Sequence, residues 1–561
     1  MSTMSKRWVL REFPPFGFAK ELGYTPFHAH LLYNRGICTA EDAELFLNSD
    51  ERHLNDPKLL PDMERAVARV QKAVKDKEHI GVFGDFDADG ITGTALLTSA
   101  LRDLGARVTP YLPDRVDEGH GLNNDAVNLL HQSGVSLLIT VDCGATSIAE
   151  VDLASELGID TIITDHHSVL PTLPASYSLI NPRHPDSRYP FGDLTGVGMS
   201  FKLIEALHSA MELEWPEHLL EFVALGTVAD VGPLTGENRF LVRRGLERLN
   251  RTDNLGIRAL AASARLKIGS LDTESLSFGI IPRLNVAGRL GSAGISLELL
   301  TTESQEKAQS LAGEIEGQNR QRQQLTRSAV IEAEEQVNQS DDLPSILIVK
   351  SKDWIPGVLG LIAGRLSEGY YRPAIAISVG EQTSRASARS IPEFDIVSAL
   401  GKSAHLFDRH GGHPQAAGFT IPTESLPELE RNLVSIAAEK LADHELSPSL
   451  EIDCEVRLSA FTQQNFDFIQ SLAPFGEANP APAFLSRGVR VLDASLVGAS
   501  RQHIRMRLQQ QGATISAIAF NLGYKVNETR GPVDVVYTVG LDTWGAHPRL
   551  QLTVQDLRAA R

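Results

Sequence analysis

At 561 residues, with 22% charged side chains and a formal net charge of −18, the chain has room for three or four domains. It is too acidic for a protein that coats nucleic acid indiscriminately, which leaves a basic footprint, although a local basic channel stays compatible with that charge. No apolar run reaches the roughly 18–20 residues of a membrane span, and "MSTMSKRWVLREFPPFG" lacks the apolar region of a signal peptide, so a cytoplasmic location is expected. Cys38, Cys143 and Cys454 are far apart, which indicates neither a disulfide framework nor a thiolate zinc site; Cys143 reads as a small buried residue.

Residues 1–50 read as a small cap or linker, and a first α/β domain follows over 51–303. Within it "HIGVFG", "RVTPYLP", "SLLITVD", "DTIITDH" and "YSLINP" read as strands, with "TGTALLTSALRDLG" and "TSIAEVDLASELG" as intervening helices. This βαβ series predicts a parallel sheet with helices on both faces. Residues 193–210 and 216–229 read as helical. The proline-free stretch 304–337 reads as one long polar-faced helix that joins domains, assigned to 304–340.

A second α/β domain, 341–447, runs from "LPSILIVK" through "VLGLIAGRLSEG", "RPAIAISVG", "TSRASARSI" and "PQAAGFTIP" to the helix "ESLPELERNLVSIAAEKLADH". Over 448–561, "SLEIDCEVRLS", "GVRVLDASLVG", "HIRMRLQQQ" with "TISAIAF", "VDVVYTVGL" and "RLQLTVQDL" predict a small closed barrel of OB type. The expected class is therefore α/β: two α/β domains joined by a long helix, plus a C-terminal OB-like β-barrel. Arginines cluster at Arg244, Arg248 and Arg251, on one helical face, and in "RQRQQLTR" and "RQHIRMR"; each cluster reads as a solvated face or as part of a basic channel.

The chemistry is concentrated where the predicted strands end. "GVFGDFDADGITGTALL" places Asp85, Asp87 and Asp89 at alternate positions, where mutual repulsion raises their pKa values or demands a cation. A calcium loop starting at Asp85 would need Glu at its twelfth position, which is Leu96, and a P-loop would need a lysine that "GITGT" lacks. "LLITVDCG" delivers Asp142, and "TIITDHH" delivers Asp165, His166 and His167, beyond neighbouring strands whose carboxyl ends converge on one crevice. Asp230, in "GTVADVGPL", follows an apolar run readable as a buried helix or a strand. Carboxylates with one or two histidines and no cysteine suit Mn²⁺ or Mg²⁺ better than zinc, and such sites commonly serve phosphoryl transfer or hydrolysis.

"GDFDADG", "TVDCG", "TDHH" and "VADVGPL" resemble the four motifs of the DHH phosphoesterase superfamily, and "HGGHPQAAGF" resembles the glycine-histidine motif of its DHHA1 domain. With "PRLNVAGRLGSA", "SARSI", "PFGEANPAP" and the barrel, the chain is similar over nearly its whole length to the RecJ-type single-strand-specific 5′→3′ DNA exonucleases. The resemblance implies two divalent cations, Mn²⁺ or Mg²⁺, in a cleft between the α/β domains. Asp87 and Asp142 would hold one ion and Asp89, Asp142, His166 and Asp230 the other, with Asp142 bridging and Asp85 a possible addition. Asp165 would orient its neighbours and His167 would donate to the scissile phosphate. Arg115, Arg283, Ser387, Arg389 and His413 would bind substrate; guanidinium groups and a hydroxyl suit a 5′-terminal phosphate. Single-stranded DNA is the implied substrate, with a single-strand-binding protein and a helicase as partners.

Three positions depart from the family pattern: Phe83 where a metal-binding His is common, "SARS" for "SGRS", and His120 for Tyr. The first predicts that the ion on Asp87 and Asp142 lacks one protein ligand and binds weakly. Two other readings are a DHH-type phosphatase or nanoRNase acting on small nucleotides, for which a strand-binding barrel has little use, and a non-catalytic replication scaffold, against which the retained acids speak.

Overall fold

The structure, a computed structural model, describes residues 5–48, 51–115, 118–339, 342–542 and 548–560. Val116 and Asp117, which follow Arg115, and residues 1–4 of the N-terminal stretch lie outside the described residues. The chain divides into two compact units, one of Leu45–Gln323 with Pro474–Pro480, the other of the described parts of Met1–Glu44, Gln324–Ala473 and Ala481–Arg561. The first strand, β1 (Arg7–Leu10), belongs to the latter. No described helix is long and apolar enough to cross a membrane.

The Leu45–Gln323 unit is built on parallel strands β2 (His79–Gly84), β3 (Arg107–Tyr111), β4 (Leu137–Val141), β5 (Asp160–Thr164) and β6 (Ser178–Ile180), in the order β3-β2-β4-β5-β6. β2 and β4 are buried along their whole length, which is why they read as unbroken apolar runs. Strand order reverses between β2 and β4, and in an open parallel sheet the crevice beyond that reversal is where ligands bind. Gly84 pairs with Val141 and Val141 with Thr164, so the segments leaving β2, β4 and β5 emerge side by side.

Helices Ala88–Asp103, Ile148–Glu156 and Gly196–Ala210 match the expected pattern. Residues 216–229 form a short 3₁₀ turn and the helix Leu220–Ala229, buried through Thr227, so Asp230 follows a buried helix rather than a strand. Inside the apolar core, the fully buried Lys202 pairs with Glu237 at 2.9 Å, and Tyr189 donates to the same carboxylate at 2.6 Å. Each group of this buried pair thus has the partners that burial demands. Arg244 pairs with Glu217 at 2.7 Å and Arg251 donates to the Glu247 carbonyl at 3.3 Å, so that arginine face is partly neutralised by its own chain.

The long helix runs over Gln305–Val337. In the other unit, β7 (Leu347–Ser351), β8 (Ala374–Ser378), β9 (Thr383–Arg389), β10 (Arg409–His413) and β11 (Ala416–Pro422) form a sheet in the order β10-β11-β9-β8-β7, covered by helices Leu359–Tyr370 and Leu426–Leu441. β10, "RHGGH", is an edge strand exposed at every position, and its paired glycines give no alternation from which a strand is predicted.

The remaining strands are β12 (Ser449–Ile452), β13 (Cys454–Glu455), β14 (Phe484–Val497), β15 (His503–Gln510), β16 (Ala513–Ala519), β17 (Val533–Asp542) and β18 (Arg549–Ala559). β14 to β18 make the barrel, closed by the pairing of β14 with β17. Its five long strands are not the five expected segments. "SLEI" pairs in parallel with β1 in a separate two-stranded sheet, while "HIRMRLQQ" and "ATISAIA" are distinct antiparallel strands. A partner more than 400 residues upstream leaves no trace in a local pattern.

Candidate metal centre

Asp85 and Asp87 occupy the turn between β2 and the helix Ala88–Asp103. Asp87 caps that helix, its Oδ1 accepting from the N–H groups of Asp89 at 3.0 Å and Gly90 at 3.1 Å. Asp89 accepts at Oδ2 from Gly196 N–H at 2.6 Å and at Oδ1 from Val197 N–H at 2.9 Å, at the start of the helix Gly196–Ala210, whose positive end favours an anion. Asp142 leaves β4 with φ 60°, and Val231, just after Asp230, has φ 57°, which is unusual for a β-branched residue. Such backbone strain commonly clusters at functional sites. Asp165 Oδ1 accepts from the His166 and His167 N–H groups at 2.8 and 3.0 Å and contacts His167 Nδ1 at 2.8 Å, while its Oδ2 accepts from Ala145 N–H at 2.9 Å.

These elements bring together three groups whose ligand atoms all lie within 4.8 Å of one another: Asp85, Asp87 and Asp142; Asp89, His166 and Asp230; and Asp142, His166 and His167. Asp142 belongs to two of them. Its Oδ1 stands 3.0 Å from His166 Nε2, yet neither atom has a hydrogen-bond partner, and the buried Asp85 Oδ1 has none either. Buried polar atoms left without hydrogen bonds are costly. Atoms that converge without hydrogen-bond directionality fit shared ligation of a cation, and the oxygen-rich set suits Mn²⁺ or Mg²⁺.

The electrostatics point the same way. Burial, then repulsion from Asp230 and Asp87, holds the Asp89 carboxyl well above the usual range; burial, then Asp89 and Asp87, does the same to Asp142. Burial and then Asp87 push Asp85 up to about 8 and Asp230 up to about 6. Burial lowers His166 to about 4, favouring the neutral imidazole that binds metal. The hydrogen bond to Asp165 raises His167 to about 9, and Asp165, despite its burial, is held below its ordinary value by that same histidine.

Phe83 does not face this cluster. It is 0% exposed and packs with Leu138, Val127 and Ile163 in the core on the other side of the strand, its ring stacked on Tyr111 at 5.6 Å. Residue 83 therefore supplies no ligand, and Asp85, expected as a possible addition, stands with Asp87 and Asp142. The period of two along an extended segment puts residues 83 and 85 in step, but the chain turns out of β2 after Gly84 and carries Asp85 into the crevice.

Near the acids, the Arg115 guanidinium lies 4.9 Å over the Phe86 ring and His120 Nδ1 is 3.2 Å from Asp85 Oδ2. Arg283 donates to Glu316 at 2.8 Å and to the Gly279 carbonyl at 2.7 Å, so its charge already has a partner. In the other unit, His413, Ala416 and Arg389 share one rung of β10, β11 and β9, and Arg389 Nη1 donates to Ser387 Oγ at 3.2 Å. The structure thus assembles Ser387, Arg389 and His413 around a small residue on one sheet.

Sequence reasoning missed the supports. Asn285 Oδ1 accepts from Ala88 N–H at 2.9 Å, bracing the turn that carries Asp87. A Cβ on Gly226 would stand 2.6 Å from Asp89 Oδ1, so the helix before Asp230 approaches only because glycine is there. Asn285 lies inside the motif "PRLNVAGR", whereas a single glycine in a helical stretch carries no signal.

Residues 79–227 match the DHH family, N-terminal domain, residues 344–441 the DHHA1 domain, and residues 452–556 the RecJ OB domain. The chain is 36% identical over 542 residues to the single-stranded-DNA-specific exonuclease RecJ of Bacillus subtilis (strain 168), covering 96% of this chain and 68% of that protein. It is 31% identical to the protein of the same name from Escherichia coli (strain K12), covering 95% and 96%. Among solved structures, RecJ in complex with Mn²⁺ from Thermus thermophilus superposes with a TM-score of 0.85 at 30% identity, over 99% of this chain and 80% of that one; the Mg²⁺ complex gives 0.79 at 28%, over 99% and 79%.

Proposed function

The chain belongs to the RecJ family, and we propose that it is a metal-dependent exonuclease that hydrolyses single-stranded DNA in the 5′→3′ direction to mononucleotides, in DNA repair and recombination. The observation that carries this reading is the convergence of buried, unpartnered Asp85 Oδ1, Asp142 Oδ1 and His166 Nε2 at the carboxyl ends of three neighbouring strands. Asp85, Asp87 and Asp142 hold one Mn²⁺ or Mg²⁺; Asp89, Asp142, His166 and Asp230 hold the second. When bound, the cations supply Lewis-acid activation and charge compensation at the phosphodiester.

The protein groups supply the rest. Asp165 fixes His167 through Nδ1, leaving Nε2 to present a proton to a phosphate oxygen of the substrate. Arg115 is pinned on Phe86, where its charge offsets the surrounding acids. Ser387, Arg389 and His413 bind the 5′-terminal phosphate; Arg283 is a substrate contact through family resemblance alone. The barrel grips the strand, a use that small-nucleotide phosphatases do not have. A cytoplasmic location, a single-strand-binding protein and a helicase belong to the same reading through family resemblance.

The test is to incubate the purified protein with Mn²⁺ and end-labelled single-stranded and duplex DNA. Mononucleotides should leave the 5′ end of the single strand and stop on chelation. Release from the 3′ end, or equal attack on duplex, contradicts the proposal.

A further inference from the structure

The long helix buries one stripe. Its first turns place Ala308, Leu311, Ala312 and Ile315 in the apolar core. One turn on, the same stripe becomes polar: Asn319 is 1% exposed with its Oδ1 unpartnered, and the flanking Gln318 Oε1 and Arg322 Nε are buried without hydrogen bonds. Three unmade bonds within five residues need an explanation. Helical spacing puts Asn319 and Arg322 beside one another.

The two nearby cations are treated differently. Arg283 is neutralised by Glu316 at 2.8 Å, whereas no carboxylate among the described residues pairs with Arg322. Burial lowers the Arg322 pKa, and the neighbouring Arg283 charge lowers it further. A partly buried guanidinium without an acid is destabilising on its own and is compensated by a ligand anion. The adjacent amides can donate to phosphate or accept from a base-edge amino group.

We propose that Gln318, Asn319 and Arg322, all within the Leu45–Gln323 unit, form an additional subsite that binds one nucleotide of the substrate strand, with Arg322 on its phosphate. The stretch "RQRQQLTR" thereby acquires a role beyond linking domains. The inference rests on the strand-degrading reading above, and its test separates the two.

Binding of a 3′-fluorescein-labelled oligothymidylate to the full chain is measured by anisotropy in chelator across a salt series, alongside thermal melting. Arg322→Gln should weaken binding about tenfold or more and flatten the salt slope by about 0.7, with Tm unchanged or raised because an uncompensated cation is gone. Asn319→Asp, which gives Arg322 an internal partner, should raise Tm and weaken binding. Arg322→Lys should keep the slope. Wild-type binding by Arg322→Gln, or weakening only together with a lower Tm, overturns the subsite; a wild type that binds no strand overturns the functional reading itself.

Discussion

A Cβ built on Gly196 would stand 2.4 Å from the Cβ of Asp142, while the Gly196 N–H donates to Asp89 Oδ2 at 2.6 Å. One glycine thus sets the approach of a helix end to carboxylates from both proposed ion sites. Gly196→Ala must push Asp142 or the helix aside. Calorimetric titration with Mn²⁺ should show affinity reduced about 10–100-fold, the usual cost of disturbing groups behind metal ligands. Wild-type affinity in a folded variant would show that the helix start does not position Asp142.

Phe83→His should leave Mn²⁺ binding unchanged, because residue 83 points into the core beside Tyr111. It should lower stability by about 1–3 kcal/mol, the cost of burying a polar ring without a partner. Calorimetry and thermal melting decide. Tighter binding at unchanged Tm would return residue 83 to the metal site.

Arg389→Ala should reduce the preference for a 5′-phosphate over a 5′-hydroxyl end by roughly ten- to a hundredfold, the worth of one charge-assisted contact. Rates on paired 5′-phosphate and 5′-hydroxyl strands give the ratio directly. An unchanged ratio would remove Arg389 from the phosphate contact.

Deleting residues 450–561 should abolish cleavage of short as well as long strands. The deletion also removes Pro474–Pro480, which packs in the Leu45–Gln323 unit: the Glu477 carbonyl accepts from Leu234 N–H at 2.8 Å and the Phe475 carbonyl from Thr273 Oγ1 at 2.6 Å. Arg505, exposed on the outer face of β15, offers a cleaner probe. Arg505→Glu should weaken long-strand binding and spare short oligonucleotides. Full activity of the deletion on short substrates would contradict this division.

These cases also mark what a single sequence can carry. The acids were legible because each comes just after an apolar run, and parallel strands deliver the residues beyond their carboxyl ends to one edge. The pairing of "SLEI" with β1, the orientation of Phe83 and the placement of the "PFGEANPAP" loop were not legible, because each depends on a partner distant in the chain. β10 escaped for a different reason: an exposed glycine-rich edge strand buries no face and so has no pattern.

The central claim is that Asp142 serves two cations at once. Its most direct test is Mn²⁺ calorimetry on the wild type and on Asp142→Ala, with hydrolysis of a labelled single strand followed on the same samples. Two ions should bind each wild-type chain, and the folded variant should lose both ion sites and several decades of rate, since metal catalysis carries several kcal/mol of the barrier. A variant that retains its Mn²⁺ stoichiometry and hydrolyses within about tenfold of wild type, a difference of only ~1.4 kcal/mol, would contradict the account.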